Sequence, residues 1–447
     1  MQRSNHQLGK DAERIWWAGV QAVQPARLIP EFVRVVGNTL CVGNSDFDLT
    51  SLGRIAIVGA GKAGASMTLA LEAALGDQLL HAKQATGWVN VPEDCVRPTQ
   101  CVHLHPARPA SRNEPTAEGV RGTVEILELV KSLTASDLCF CAISGGGSAL
   151  LPAPPRGLAL KHKVQLTREI SARGGTIEQL NTVRRELSLV KGGGLARACR
   201  AGHLVTLILS DVLGDDLETI ASGPTVAREP TPLAAWQVIK EFDLQDTPAG
   251  QAVKPVLTSK REPPGETSAR ITNLRIGNNA TAVDAAGMEA ERLGYSHAMV
   301  SATEPESTAE DVAQRLLEMT QTMRGPSGPD CLISGGEPTV QLAPIAERGL
   351  GGRNQQLALS ALANLDDWEG LALLSGGTDG EDGPTDAAGA LVTQQIARRA
   401  SDLGLDAHDY LSRNDAYHFF ESVDGLLKTG PTHTNVCDLR VVVVGRR

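Results

Sequence analysis

A chain of 447 residues is long enough for two large domains or about three ordinary ones. Its 41% hydrophobic and 21% charged residues are those of a globular chain and exclude a disordered or low-complexity protein. A net charge of −10 and only 3% aromatic residues argue against a nucleic-acid partner, which needs cations for phosphates and rings for bases. The first segment carries Lys10, Asp11, Glu13 and Arg14 and no apolar core, so no signal peptide is expected. No later run approaches the ~18 apolar residues of a membrane helix, and the expectation is a cytoplasmic enzyme without a membrane partner.

Taken in chain order, short apolar runs alternate with stretches of helical period. The pattern predicts strands at 54–58, 87–91, 138–143, 204–209, 331–333 and 371–374, with helices at 62–75 and 116–133. Such alternation predicts α/β architecture around a mostly parallel, Rossmann-like sheet. The polar and Pro-rich stretch Thr247–Ala269, with Pro248, Pro255, Pro263, Pro264 and Gly265, is the expected boundary between domains 1–250 and 251–447. A second such stretch is Arg324–Asp330. The eight cysteines form no C-x-x-C pair and read as reduced thiols. His103 and His105 share one strand face but lack other ligands at metal spacing, so they read as structural or close to substrate.

Four predicted strands run into serine followed by small or acidic residues. These are Ser144-Gly145-Gly146-Gly147-Ser148, Ser210-Asp211, Ser334-Gly335-Gly336-Glu337 and Ser375-Gly376-Gly377-Thr378-Asp379. Ligands of open parallel sheets bind beyond the carboxyl ends of strands, where glycine lets backbone amides approach an anion. Any single instance is also what a tight turn needs. Their recurrence in both halves predicts a site lined from two domains.

Gly59-Ala60-Gly61-Lys62-Ala63-Gly64 spells the dinucleotide fingerprint G-x-G-x-x-G between a strand and a helix. The acid that should follow about 20 residues on is missing, since Glu93 and Asp94 come late. Instead the turn holds Lys62, one of only 11 lysines against 31 arginines. Lys191, in VKGGGLA, is another lysine beside glycines. Both suggest cations aimed at a carboxylate or phosphate. No P-loop, G-x-S-x-G elbow or H-R-D loop is present.

In the second half, Gly351-Gly352-Arg353-Asn354 puts an arginine at a predicted helix start, where it can hold a carboxylate or phosphate through two donors. The acids Asp379, Glu381, Asp382 and Asp386 lie among glycines, and Asp211, Asp215 and Asp216 form a second cluster. Asp211, Asp379 and Asp382 are candidate Mg²⁺ ligands, although capping and turn formation would also explain such acids. Glycine-rich anion loops, isolated cations and acids suited to a metal are the components of phosphoryl transfer.

Longer motifs carry a resemblance. They are GAGKAG (59–64), ISGGGSALLPAP (143–154), LNTVRRELSLVKGGGLA (180–196), SDVLGDDLETIASGPT (210–225), SGGEPTV (334–340), GGRNQQLAL (351–359), GGTDGEDGPTDAAGA (376–390) and TGPTHTNVCDL (429–439). In this order, over nearly the whole chain, the sequence resembles the class II glycerate 2-kinases, the family with a C-terminal MOFRL domain. The resemblance implies ATP- and Mg²⁺-dependent phosphorylation of the 2-hydroxyl of D-glycerate. It further implies a Rossmann-like α/β domain, a second α/β domain of MOFRL type, and an active site in the interdomain cleft. Lys62 and Arg353 stand at the family's catalytic positions. Gly59, Gly61, Ser144, Gly145, Gly146, Gly147, Ser148, Lys191, Ser210, Glu337 and Asn354 are the expected contacts to substrate or nucleotide. Departures from the family pattern include Ala107–Ala110 after His105-Pro106, Gly194 after the KGG motif, and His433 and Cys437 where Gly and Asn are usual.

Two other readings compete. An NAD(P)-dependent hydroxypyruvate reductase would use GAGKAG as a dinucleotide loop, and a non-catalytic sensor would bind small phosphorylated acids without turnover. A homodimer is compatible with the sequence.

Overall fold

A computed structural model of the protein describes residues 3–110, 114–259, 267–325 and 328–445. The chain folds as two units. One consists of Pro25–Ser210 and Asp215–Ile276; the other takes the residues up to Gln24, Asp211–Gly214, and those from Gly277 onward.

The first unit is built on a six-stranded sheet in the spatial order Val102–Arg108, Thr86–Pro92, Ile55–Ala60, Leu138–Ile143, His203–Leu209, Arg270–Gly277. In chain order this is 3-2-1-4-5-6, the doubly wound arrangement of dinucleotide- and nucleotide-binding sheets. The pairs among the first five are parallel. Ile55–Ala60 and Leu138–Ile143 are buried at every position, which is why they read as continuous apolar runs and not as alternating ones. A three-stranded antiparallel sheet, Val33–Val36, Thr39–Val42 and Ser45–Asp48, precedes them.

Proline misdirects the boundary expectation. Pro248 is the first residue of the helix Pro248–Thr258, whose N-terminus is capped by the Thr247 side chain. At that position proline lacks only an N–H the helix would leave unbonded, so it starts a helix instead of marking a linker. Residues 260–266, with Pro263, Pro264 and Gly265, lie outside the described residues, as do 111–113 and, within Arg324–Asp330, residues 326–327.

The second unit has a mixed sheet in the order His297–Ser301, Cys331–Gly336, Asp438–Val444, Leu371–Gly377, Gly389–Thr393, Leu426–Leu427. Only its first pair is parallel; Asp438–Val444 runs antiparallel to both neighbours. Leu439, Val441 and Val443 pack on one face of the sheet with Leu8, Ile15 and Trp16, while Val442 and Val444 pack on the other with Leu317 and Leu357. The helix Asn5–Ala22 therefore belongs to this unit, held by its apolar stripe, by Trp16 Nε1 donating to Gly376 O (3.2 Å) and by Tyr295 Oη donating to Asp11 Oδ2 (2.7 Å). No described helix is long and apolar enough to cross a membrane. All eight cysteines are free thiols.

Candidate active site

In the first unit the strand order reverses between Ile55–Ala60 and Leu138–Ile143, and GAGKAG and SGGGS leave the carboxyl ends of those two strands. That is the ligand crevice of a doubly wound sheet. Glycine is required there by close approach: a Cβ on Gly59 would strike Ala142 O, and one on Gly61 would strike Ser144 Oγ. The turn's amides are spent inside the protein. Gly61 N donates to Asn90 O (3.2 Å), Lys62 N to Gly145 O (2.9 Å), Ala63 N to Ser144 Oγ (3.0 Å) and Gly64 N to Gly61 O (3.0 Å). A dinucleotide loop would present these donors to pyrophosphate. This turn presents the half-buried Lys62 side chain, whose stem lies against Gly146: a Cβ there would be 3.6 Å from Lys62 Cγ.

Lys191 is fully enclosed. Its Nζ donates to Ser148 O (2.8 Å), Ser148 Oγ and Ser222 Oγ (3.4 Å), and Ser222 Oγ donates in turn to Asn181 Oδ1 (3.3 Å). Burial, together with the nearby cations Lys163, Arg184 and Arg185, drives its ammonium well below the usual lysine range. Gly192 and Gly193, both at positive φ (55° and 78°), turn the chain so that Lys191 points inward. His103 and His105 flank Trp88, with ring centroids 4.2 and 5.4 Å from it, and His105 Nε2 contacts Glu118 O (2.9 Å). His105 is half-buried and His103 is exposed.

The second unit gathers its groups at one sheet edge. Because Asp438–Val444 is antiparallel, its first residue lies where Cys331–Gly336 and Leu371–Gly377 end, with Asp438 opposite both Gly336 and Gly377. Both Ser-Gly-Gly segments of this unit are thus the last residues of strands. Arg353 opens the helix Arg353–Ala363 and holds fully buried Asp438 with two donors, Nε to Oδ2 at 2.6 Å and Nη2 to Oδ1 at 2.9 Å. Its Nη1 is 3.1 Å from Glu337 Oε1. A Cβ on Gly377 would lie 2.9 Å from Asp379 Oδ1 and 3.6 Å from Asp438 Oδ1, so the missing side chain gives both carboxylates room. Asn435 Nδ2 donates to Asp211 Oδ2 (3.4 Å), and Cys437 Sγ to Asp211 O (2.8 Å). Partial burial and the Asp438, Asp211 and Asp379 carboxylates push Glu337 up against the opposing pull of Arg353. The glutamate side chain itself is 45% exposed. Arg353, although burial works against it, is held firmly charged by Asp438 and Glu337.

Several expected contacts have internal partners. Buried Ser144 fixes the Ala63 amide, and Asn354 Oδ1 accepts from Ser375 Oγ (2.6 Å). Asp382, expected among metal ligands, is a helix cap: its oxygens accept from the amides of Asn354 (3.0 Å) and Gln355 (2.8 Å), and its side chain is buried. Burial raises it to about 6 against the pull of those amides. Ser210 is buried at the end of its strand. Asp438 was not among the sequence candidates. Its signal is an acid at the start of a strand whose last four residues are Val441–Val444, since a buried carboxylate calls for a cation beside it.

The departures at His433 and Cys437 have a backbone meaning. Both adopt left-handed conformations, φ 61° and 68°, that favour the Gly and Asn of the family pattern. His433→Gly is expected to raise unfolding free energy by about 0.5–1 kcal/mol, read from the denaturant midpoint. No gain would mean that contacts of the ring outweigh the backbone cost.

Two family models match the chain: a domain of unknown function (DUF4147) over residues 11–258 and the MOFRL family over 330–438. Glycerate kinase of Homo sapiens is 36% identical, with 99% of this chain and 94% of that protein covered. An Agrobacterium vitis protein that carries hydroxypyruvate reductase as a provisional name is also 36% identical, with 88% of this chain and 100% of its own covered. Among solved structures, glycerate kinase of Thermotoga maritima is similar with a TM-score of 0.79 and 31% identity, covering 98% of this chain and 100% of that one. The chain belongs to the class II, MOFRL-containing glycerate kinase family.

Proposed function

We propose that this glycerate kinase acts in the cytoplasm and transfers the γ-phosphoryl group of ATP to the 2-hydroxyl of D-glycerate, giving 2-phosphoglycerate and ADP. Within the structure, one observation favours this over a dinucleotide-dependent reductase. The GAGKAG amides from Gly61 to Gly64 are bonded to protein acceptors, and the loop offers a lysine instead. In this reading Lys62 neutralises charge on the transferring phosphoryl group. Arg353, its fork held by Asp438, supplies a fixed positive charge instead of a bidentate clamp on substrate.

Mg²⁺ fits the carboxylate edge. Asp211 and Asp379 are hard oxygen donors, and both act on Glu337 in a crowd of like charge that a cation would relieve. Among the described residues no three such groups form an all-protein cage. Mg²⁺ does not need one, since one or two carboxylates and the phosphates commonly suffice. When bound, it would neutralise phosphate charge. Asp379→Asn or Asp211→Asn, whichever removes a ligand, is expected to raise the Mg²⁺ concentration for half-maximal rate about tenfold or more. Unchanged Mg²⁺ titrations in both variants would assign the metal to Glu337 or to the phosphates alone.

The reaction is tested by NMR of the product from D-glycerate and MgATP. Phosphorus coupled to the C2 proton supports the assignment; coupling to the C3 protons refutes the regiochemistry. NADH oxidation with hydroxypyruvate, without phosphate transfer, would establish the reductase instead.

A further inference from the structure

The second unit holds a cavity of about 510 Å³ between the helices Ala309–Met323 and Arg353–Ala363. Leu342, Ala343, Leu411 and Asn414 form part of its wall, and none of Glu337, Arg353, Asp379 and Asp438 lines it. Asn414, buried and left-handed (φ 50°), ties this wall together. Its Oδ1 accepts from Ala343 N (2.7 Å) and its Nδ2 donates to Gln341 O (3.3 Å). Leu342, between those two tethers, borders both the cavity and solvent, at 58% exposed.

The polar groups of the cavity are half used. Gln356 is only 3% exposed, and its Nε2 donates to Glu310 Oε1 (2.8 Å) and to Leu411 O (3.2 Å). Two acceptors on one nitrogen fix which way the amide lies, so Oε1 is the atom left over. Among the described residues no donor reaches it, and the space beside it is this cavity. The second oxygen of half-buried Glu310, Oε2, is likewise without a donor. Each of these oxygens is bonded to the same carbon as an atom of the 2.8 Å contact, which keeps the two acceptors close together. An amide oxygen withdrawn from water without a donor is costly to keep. No lysine, arginine or histidine lines the cavity, so a phosphate or carboxylate would meet the Glu310 charge uncompensated. A bare Mg²⁺ or Ca²⁺ would want more oxygen ligands than one carboxylate and one amide supply.

We infer that this cavity binds a primary alkylamine, its ammonium donating to Glu310 Oε2 and Gln356 Oε1 and its chain lying against Leu342 and Leu411. An ammonium has three donors and no acceptor, which suits two open acceptors of which one is charged. The volume is that of a small-molecule site, which commonly spans about 300–1,000 Å³.

The probe is n-butylamine, titrated into the full chain at pH 7.5 and constant ionic strength and followed by ligand-observed NMR, with n-butanol and butyrate in parallel. The amine is protonated at that pH. It is expected to bind saturably, with butanol about tenfold or more weaker and butyrate not bound. Glu310→Gln keeps an oxygen to accept from Gln356 and should weaken the amine about tenfold or more. Leu342→Ala, at an exposed position where folding is not at risk, should weaken it about threefold or more. Glu291→Gln removes an exposed acid outside the cavity and should change nothing. A loss there as large as that of Glu310→Gln would reveal diffuse attraction of cations to an acidic chain and overturns the site. So does equal affinity in wild type, Glu310→Gln and Leu342→Ala, absence of amine binding, or butyrate bound as tightly as the amine. A lysine side chain carries the same alkylammonium. If Nα-acetyl-lysine N-methylamide binds about tenfold or more tighter than butylamine, the free amine is overturned in favour of a peptide lysine. Binding is read without turnover, so failure here leaves the kinase reading standing.

Discussion

Lys62→Met is expected to lower kcat by about 10²–10⁴ while the protein stays folded, the scale of losing one charge contact to a transition state. The substitution keeps the unbranched apolar stem that lies against Gly146. The hydrogen bond from the residue 62 amide to Gly145 O is a backbone bond and survives it. Thermal melting should therefore be close to wild type, and the loss should fall on kcat more than on the KM for D-glycerate. A near wild-type kcat would reduce Lys62 to a turn residue. If KM alone rises, the lysine helps bind the ground state and does not distinguish the transition state.

The prominence of Lys62 in the sequence has a physical basis. Parallel strands covered on both faces are unbroken apolar runs, and close strand-to-helix turns need glycine, so Ile55–Ala60 and the GAGKAG turn announce themselves. Lys191 is legible for the same reason, as a lysine beside positive-φ glycines. What is less legible comes from pairings distant in sequence. The run Val441–Val444 shows only that something is buried; its antiparallel direction depends on partners about 70 and 100 residues away, and that direction is what brings Asp438 to the edge with Glu337 and Asp379. The helix Asn5–Ala22 has an ordinary amphipathic stripe that does not say which sheet it will cover. Lys163, buried on the helix Leu160–Ala172, is harder still. Lysines on helices usually face water, and nothing local marks one whose neighbours on the same face are Leu166 and Ile170.

Arg353→Lys carries the second large effect. Lysine keeps the charge but cannot reproduce two coplanar donors to Asp438 and a third toward Glu337. The fully buried Asp438 would lose at least one hydrogen bond, which costs about 1–3 kcal/mol of stability, and the remaining ammonium would be free to swing between the two acids. A fall in kcat of about 10²–10³ is expected, along with a lower melting temperature. Asp438→Asn should reproduce much of both effects, because it disturbs the same pair from the other side. The pairing with Lys62 separates a structural role from a catalytic one. If both cations act on one phosphoryl transfer, Lys62→Met/Arg353→Lys should be less impaired than the product of the single losses, since groups that act together are not additive. Activation free energies that simply add would mean that Arg353 serves its own unit's carboxylates and leaves the transferring group to Lys62.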